Sequence, residues 1–352
     1  MRDKLNICLV GVGRVASSHL PAIRDLADSV NLLAIMSRNR ENAEKAAGQW
    51  GAKKVYTSYE EMLVDPEIEA VVLCLPHYIH ESATVAAAKA GKHILCEKPM
   101  ALNTEQALNM IRAAEENGVT LMIGQSRRFY DAVLKSKEIV TEGKLGKIVS
   151  VNEWNFSHRV EDHPSTWRPD IKKSGGRIMP FWGAHVVDYV LWIYDKRPRT
   201  VSARMASVNP NWEGEDEAMI LMGFNQGEMG FVHLSWNCRV LPTHTRGEVT
   251  GKIWDSKKNS VYERYIVGEK GTLYMNDETE LSFNGDLIMS GPQEPSNFTL
   301  QLREFVTAIR EGREPIASGK EVLKVVETID AAFKSATENC LVRMEEKTDQ
   351  RR

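Results

Sequence analysis

No run of about eighteen apolar residues occurs anywhere in the chain, so the sequence offers no membrane-spanning helix. Cysteine is sparse and scattered. The five (Cys8, Cys74, Cys96, Cys238 and Cys340) are odd in number and lack C-x-x-C spacing, which argues against a disulfide framework and for reduced thiols in a cytoplasmic protein. An excess of one charge is missing too. With 45 Lys and Arg against 48 Asp and Glu, interspersed to a net charge of −3, no field draws nucleic acid or an anionic membrane as partner. No small-residue cleavage site follows the opening Met-Arg-Asp-Lys, so a signal peptide is not expected. Repeats and low-complexity linkers are absent. Asn297-Phe298-Thr299 matches a glycosylation sequon that a cytoplasmic protein would leave unused.

What is present is ordinary globular material: 352 residues, 42% hydrophobic and 26% charged, which is more chain than one core usually organises. The first third alternates short apolar runs with helical stretches. Leu5 to Val10, Leu32 to Met36, Val71 to Leu75, His93 to Cys96 and Thr120 to Ile123 read as strands. Between them lie helical patterns from Val15 to Leu26, Glu41 to Trp50, Glu81 to Ala90, and from the Asn103 cap to Asn117. This order implies βαβ units and a parallel sheet.

After Gly124 the texture changes. A helix from Ala132 to Glu142 leads into period-two segments at Val149 to Trp154, Thr200 to Met205, Ala218 to Phe224 and Gly230 to Trp236, as expected of an antiparallel sheet with one covered face. Asn225-Gln226-Gly227 and Glu269-Lys270-Gly271 have hairpin-turn chemistry. Two helices, near Leu302 to Glu311 and Lys320 to Glu338, precede a charged tail.

Between the first strand and first helix stands Gly11-Val12-Gly13-Arg14-Val15-Ala16. In a dinucleotide-binding loop, Gly11 permits the tight turn, Gly13 lets the backbone approach a pyrophosphate, and Ala16 keeps the helix close to the sheet. The pattern alone is weak, but strand before and helix after is the context it needs. An NAD-selective site would place a carboxylate at the end of the second strand to bind the ribose hydroxyls. Here that strand ends in Ser37-Arg38-Asn39-Arg40, a hydroxyl and two guanidinium groups suited to a 2′-phosphate. The cofactor expected is therefore NADP or NAD, with NADP favoured.

Glu97-Lys98-Pro99 sits at the end of another strand, where side chains of a doubly wound sheet face the ligand crevice. A lysine there can donate to a substrate hydroxyl or carbonyl oxygen; the alternative is a surface Glu–Lys pair before a proline turn.

With these residues in place the chain resembles, over nearly its whole length, the glucose-fructose oxidoreductase / inositol dehydrogenase family of NAD(P)-dependent enzymes. His19, Pro76 with His80, Gly91-Lys92-His93 and Glu97-Lys98-Pro99 carry the first part of the likeness. Trp167-Arg168, Gly175-Gly176, Gly183-Ala184-His185 with Asp188, Glu215-Asp216-Glu217-Ala218, and Gly268 through Leu273 carry the second. The resemblance implies a Rossmann domain, then an α+β domain whose open, mostly antiparallel sheet makes homodimers or homotetramers. It implies hydride transfer between the nicotinamide and a secondary alcohol or ketone of a sugar, inositol or related polyol. Lys98 and His185 become the catalytic pair: His185 the general base, for which an imidazole with an ordinary pKa of about 6.5 is suited, and Lys98 the group that orients and polarises the oxygen. One position departs from the family pattern. Phe181 stands where many members carry an aspartate, leaving Asp170 and Asp188 as possible substitutes.

The expectations are these. Residues 1–125 form the Rossmann domain, 126–345 the substrate-binding and oligomerisation domain, and 346–352 a charged tail. Gly11, Gly13, Arg14, Val15, Ala16, Ser37, Arg38, Leu75, Pro76, His80, Glu97 and Lys98 bind cofactor. Lys98, Arg127, His158, Trp167, Arg168, Phe181 and His185 bind substrate, with Arg128 and His163 as neighbours. No metal is expected, since the histidines lack paired ligand spacing. Two other readings stay open: a glycoside-cleaving enzyme that uses bound NAD transiently, and a non-catalytic sensor that binds dinucleotide or sugar.

Overall fold

The computed structural model describes residues 4–158, 167–238 and 260–345, and divides the chain into two compact units. One comprises residues up to Phe129 together with Glu294–Val326; the other comprises Tyr130–Gln293 and the residues from Glu327 onward.

The first unit begins with β1 (Leu5–Val10), α1 (Ala16–Asp25), β2 (Val30–Met36), α2 (Arg40–Trp50), β3 (Lys54–Tyr56), α3 (Tyr59–Leu63), β4 (Ala70–Leu73), α4 (His80–Lys89), β5 (His93–Glu97), α5 (Thr104–Glu116) and β6 (Leu121–Gly124). Its six strands are all parallel in the order β3-β2-β1-β4-β5-β6. Ile7 to Val10 and Val71 to Leu73 are wholly buried, as continuous apolar runs covered on both faces should be. The Asn39, Ser58 and Asn103 side chains each accept a backbone N–H in the first turn of the helix that follows. β3 and α3 were not legible in the sequence because they are short.

The second unit holds α6 (Asp131–Thr141), β7 (Ile148–Ser157), α7 (Ile171–Ser174), α8 (Ala184–Tyr194), β8 (Thr200–Ala206), β9 (Glu217–Gly223), β10 (Met229–Ser235), β11 (Ser260–Gly268), β12 (Gly271–Asn276), β13 (Glu280–Phe283) and β14 (Asp286–Met289). With β15 (Val342–Arg343), which follows two further helices, these strands form one nine-stranded sheet, antiparallel except for the β10–β7 pair. Both expected hairpins are present, joining β9 to β10 and β11 to β12. One face is covered: Val151, Ile220, Val232, Leu234, Ile266 and Leu273 are buried. On the alternate positions Met219 and Leu221 are exposed, and Tyr274, Tyr265, Trp154 and Phe231 are linked ring to ring.

The two further helices are α9 (Asn297–Glu311) and α10 (Gly319–Glu338). Residues 294–326 belong to the first unit, not the second as the sequence suggested. The cause is packing that crosses more than 270 residues of sequence: α9 lies against α1, Thr299 Oγ1 donates to Asp25, and Arg310 donates to the Ser29 carbonyl. Asn297 of the sequon is buried at the start of α9, with its amide on the Ser126 carbonyl, so it presents no accessible glycosylation site.

Candidate functional site

The sequence-predicted residues fall into two groups, each within its own unit. In the first unit they follow the carboxyl ends of parallel strands: Gly11 to Ala16 after β1, Ser37 and Arg38 after β2, Leu75 and Pro76 after β4, Lys98 after β5, and Arg127 after β6. That shared edge is where an open α/β sheet takes its ligand.

The glycine loop has the geometry its reading requires. Gly11 has φ +91°, and a Cβ there would lie 2.5 Å from the Cys74 carbonyl oxygen, so no side chain fits. Gly13 is the opposite case: a Cβ would meet nothing within 4 Å and would project into open space. No side chain caps α1 at Val15, and Ala16, 2% exposed, seats the helix against the sheet. A bare helix N-terminus beside an open backbone approach fits a pyrophosphate.

Ser37 and Arg38 follow the buried Met36. Asn39 turns its side chain inward to cap α2, and Arg40 pairs with Glu44 one turn on. Arg38 is exposed and has no carboxylate partner among the described residues, which singles it out from the two arginines the sequence offered.

Two expected cofactor ligands are engaged elsewhere. His80 is fully buried, with Nδ1 2.8 Å from the Pro99 carbonyl and Nε2 2.9 Å from that of Leu75. It ties the loops after β4 and β5 together and does not offer its ring to a ligand. Burial holds its pKa below the usual histidine value. Glu97 is buried as well, with Oε1 2.7 Å from His19 Nε2 and Oε2 accepting the Lys98 N–H at 3.2 Å. Lys98 itself is half-buried. Arg128 is 1% exposed and donates to the Ile316 carbonyl at 2.5 Å, which makes it a structural link to the segment before α10. Arg127, beside it, is half-buried.

In the second unit, five residues of π-helix, Met179–Gly183, run directly into α8, and His185 is the second residue of that α-helix. Such π turns recur at functional sites. Glu215, in the segment before β9, accepts the Arg177 and Met179 N–H groups at 2.8 and 3.1 Å and so caps this helical segment. Its burial raises its carboxyl pKa. The sequence marked Glu215 only as part of a motif; a partner 36 residues away left no local signal of the role. His185 packs near Trp182 at 6.2 Å between ring centroids, and Trp182 packs on Tyr262 at 5.5 Å.

Phe181 lies between Trp236, 5.9 Å away, and Arg168, whose guanidinium carbon is 4.6 Å from the ring centroid. Arg168 also covers Trp167 at 5.4 Å. The structure thus brings Trp167, Arg168 and Phe181 together, one turn before His185. His158 does not join them: it is exposed at the end of β7, bridged to Asn237. His163 lies outside the described residues. Of the possible aspartate substitutes, Asp170 caps α7 and pairs with Lys173 at 2.9 Å, while Asp188 is buried three residues after His185. Among the described residues no group of three or more His, Cys, Asp or Glu is arranged to hold a metal, and no helix is long and apolar enough to cross a membrane.

Comparison with known proteins gives two family matches. Residues 5–125 match an oxidoreductase family with an NAD-binding Rossmann fold, and residues 133–274 match the GFO/IDH/MocA C-terminal domain. The chain is 28% identical over 334 residues to a 1,5-anhydro-D-fructose reductase of Ensifer adhaerens, covering 93% of this chain and 95% of that protein. It is 25% identical over 353 residues to a myo-inositol 2-dehydrogenase of Thermotoga maritima, covering 97% and 99%. In fold it is similar to a levoglucosan dehydrogenase solved with NADH and levoglucosan, with TM-score 0.86, 23% identity, and coverage of 98% and 100%.

Proposed function

Because the chain belongs to the GFO/IDH/MocA family of NAD-binding oxidoreductases, we propose that it transfers hydride between a nicotinamide dinucleotide and a secondary alcohol or ketone of a sugar, inositol or related polyol. Relatives named for these activities match along nearly the full length, which supports the substrate class. The observation that carries the reading is the single sheet edge on which the open glycine loop and Lys98 both stand, after β1 and β5.

The bound nicotinamide supplies the hydride chemistry, and the protein supplies geometry and proton transfer. Gly11 to Ala16 hold the pyrophosphate, and Arg38 with Ser37 receives the 2′-phosphate of NADP, the cofactor we favour. Lys98 donates a hydrogen bond to the reacting oxygen. His185 takes the hydroxyl proton in oxidation and returns it in reduction. Arg127, Trp167, Arg168 and Phe181 bind the sugar, the aromatic faces covering its C–H surfaces. The Rossmann domain of residues 1–125 gains the segment 294–326 in this assignment. We further propose a homodimer or homotetramer formed through the open sheet face of Trp154, Phe231, Leu221, Tyr265 and Tyr274, and a cytoplasmic location fitting the scattered thiols.

The test is absorbance of reduced nicotinamide across aldoses, ketoses, inositols and 1,5-anhydro sugars, run with each cofactor. Turnover is expected for at least one polyol, falling about 10²–10⁴-fold in Lys98→Ala and in His185→Ala while cofactor still binds. Saturable sugar and dinucleotide binding without turnover on any substrate would overturn the enzyme reading in favour of a sensor.

A further inference from the structure

Glu97 presents a physical problem that the proposed chemistry does not use. It is the last residue of β5, 7% exposed, and a buried carboxylate is costly unless its charge is met by hydrogen bonds. Three arrangements accommodate it. His19 on α1, 1% exposed, brings Nε2 to 2.7 Å from Oε1. The Lys98 N–H reaches Oε2 at 3.2 Å. The neighbouring strand is trimmed to admit the side chain: Glu97 pairs in register with Gly124 of β6, where a Cβ would lie 3.0 Å from Glu97 Oε1 and 3.1 Å from its Cα.

The histidine is equally constrained. Phe298 of α9 packs edge-on against its ring at 5.0 Å and 84°. Among the described residues its buried Nδ1 has no hydrogen-bond partner, so the tautomer that leaves only a lone pair there is the cheaper one. That tautomer carries its proton on Nε2 and donates it to Glu97 Oε1, orienting the carboxyl group.

Stability alone does not account for such a pair. A buried ion or hydrogen-bonded pair is often no more stabilising than apolar side chains of the same volume. What an apolar pair would lack is the contact of Glu97 with the Lys98 amide. On the far side of the lysine, His80 Nδ1 holds the Pro99 carbonyl. The backbone is thus held at the Lys98 amide and at the Pro99 carbonyl, on either side of the lysine side chain.

We propose that Glu97 is a positioning residue for Lys98, held in place by His19, so that a buried relay ties the helix behind the glycine loop to the lysine. The inference rests on the reading of Lys98 as the group that meets substrate. A displacement of about 1 Å in such a group costs on the order of 10²-fold in rate. The relay also makes dinucleotide binding at the N-terminus of α1 and lysine placement mechanically linked.

The experiment compares Glu97→Gln, Glu97→Met and His19→Gln in the full chain with cofactor and a turned-over polyol. All three are expected to lower kcat about 10- to 100-fold with KM for the polyol within about threefold, and to weaken reduced-cofactor binding several-fold by fluorescence titration. Glu97→Met keeps the volume, so its melting temperature should stay close to that of the parent. Should it fail to fold, the Glu97→Gln values decide. Combining Glu97→Gln with His19→Gln should cost no more than the worse single change. In a Lys98→Ala background, Glu97→Gln should have no further effect on the residual kcat. A second fall of the same size would overturn the positioning role while leaving Lys98 itself in place. Full turnover by Lys98→Ala would overturn both, and wild-type kcat in Glu97→Met would overturn the inference alone.

Discussion

The guanidinium of Arg168 sits over the ring of Phe181, 4.6 Å from its centroid, and Trp236 packs on the same ring at 5.9 Å. A cation over an aromatic face contributes about 0.5–2 kcal/mol, more as water is excluded. The position where the family resemblance leads one to expect an acid therefore holds an apolar ring that still engages a charge. A double-mutant cycle of Phe181→Leu and Arg168→Met, read by urea denaturation, should give a coupling of about 1 kcal/mol. Additive losses within about 0.3 kcal/mol would show that the two side chains are neighbours without an energetic link.

Arg38 should decide the phosphate preference. It is exposed at the end of β2 without a carboxylate partner among the described residues, while Arg40 is paired with Glu44. A charge-assisted hydrogen bond to phosphate contributes about 1.5–3 kcal/mol, or roughly 10- to 150-fold in affinity. Arg38→Asp is expected to weaken NADPH binding by that factor and to leave NADH binding unchanged or tighter. Equal loss for both cofactors, measured by fluorescence titration, would refute the phosphate-clamp assignment.

What the sequence disclosed and what it hid divide by the range of the interactions. The glycine loop was legible because its signal is local: a strand, a positive φ and a helix start lie within twelve residues. The hairpins at residues 225–227 and 269–271 were legible for the same reason. Nothing local marks His19 as the partner of Glu97, 78 residues away, or Glu215 as the cap of residues 177–179. His80 shows how position misleads. It lies beside the strand ends as expected, yet both ring nitrogens are turned to backbone carbonyls. A helix near Leu302 to Glu311 was legible in the sequence, but not that it would pack against α1.

Asp65 should govern part of the acid stability. It is buried and accepts hydrogen bonds from Lys54 Nζ at 2.8 Å and Tyr56 Oη at 2.6 Å, which together hold its carboxyl at about 2. A carboxyl that titrates lower in the folded protein than in the unfolded chain contributes fully above the unfolded value of 3.8, and the contribution is gone below about 2. The shift corresponds to about 2 kcal/mol at neutral pH. Asp65→Asn should lose that amount at pH 7 and show a shallower fall in stability between pH 4 and 2. Parallel stability–pH curves for the two proteins would sink the assignment.

The two glycines of the loop should respond in opposite ways to the same substitution. At Gly11 an added methyl meets the Cys74 carbonyl oxygen at 2.5 Å in a left-handed backbone conformation, so Gly11→Ala must displace main chain between β1 and β4. Strain of this kind costs on the order of 1–3 kcal/mol, visible as a lower melting temperature with or without cofactor. At Gly13 the added methyl meets nothing, so Gly13→Ala should melt with the parent protein when no dinucleotide is present. Its cost appears only when a pyrophosphate must come against the backbone, as a loss of affinity on the order of tenfold or more and a smaller rise in melting temperature on adding cofactor. If Gly13→Ala bound dinucleotide as tightly as the parent, the open space above that residue would not be where the phosphates lie. The pyrophosphate would then have to be sought elsewhere along the strand ends.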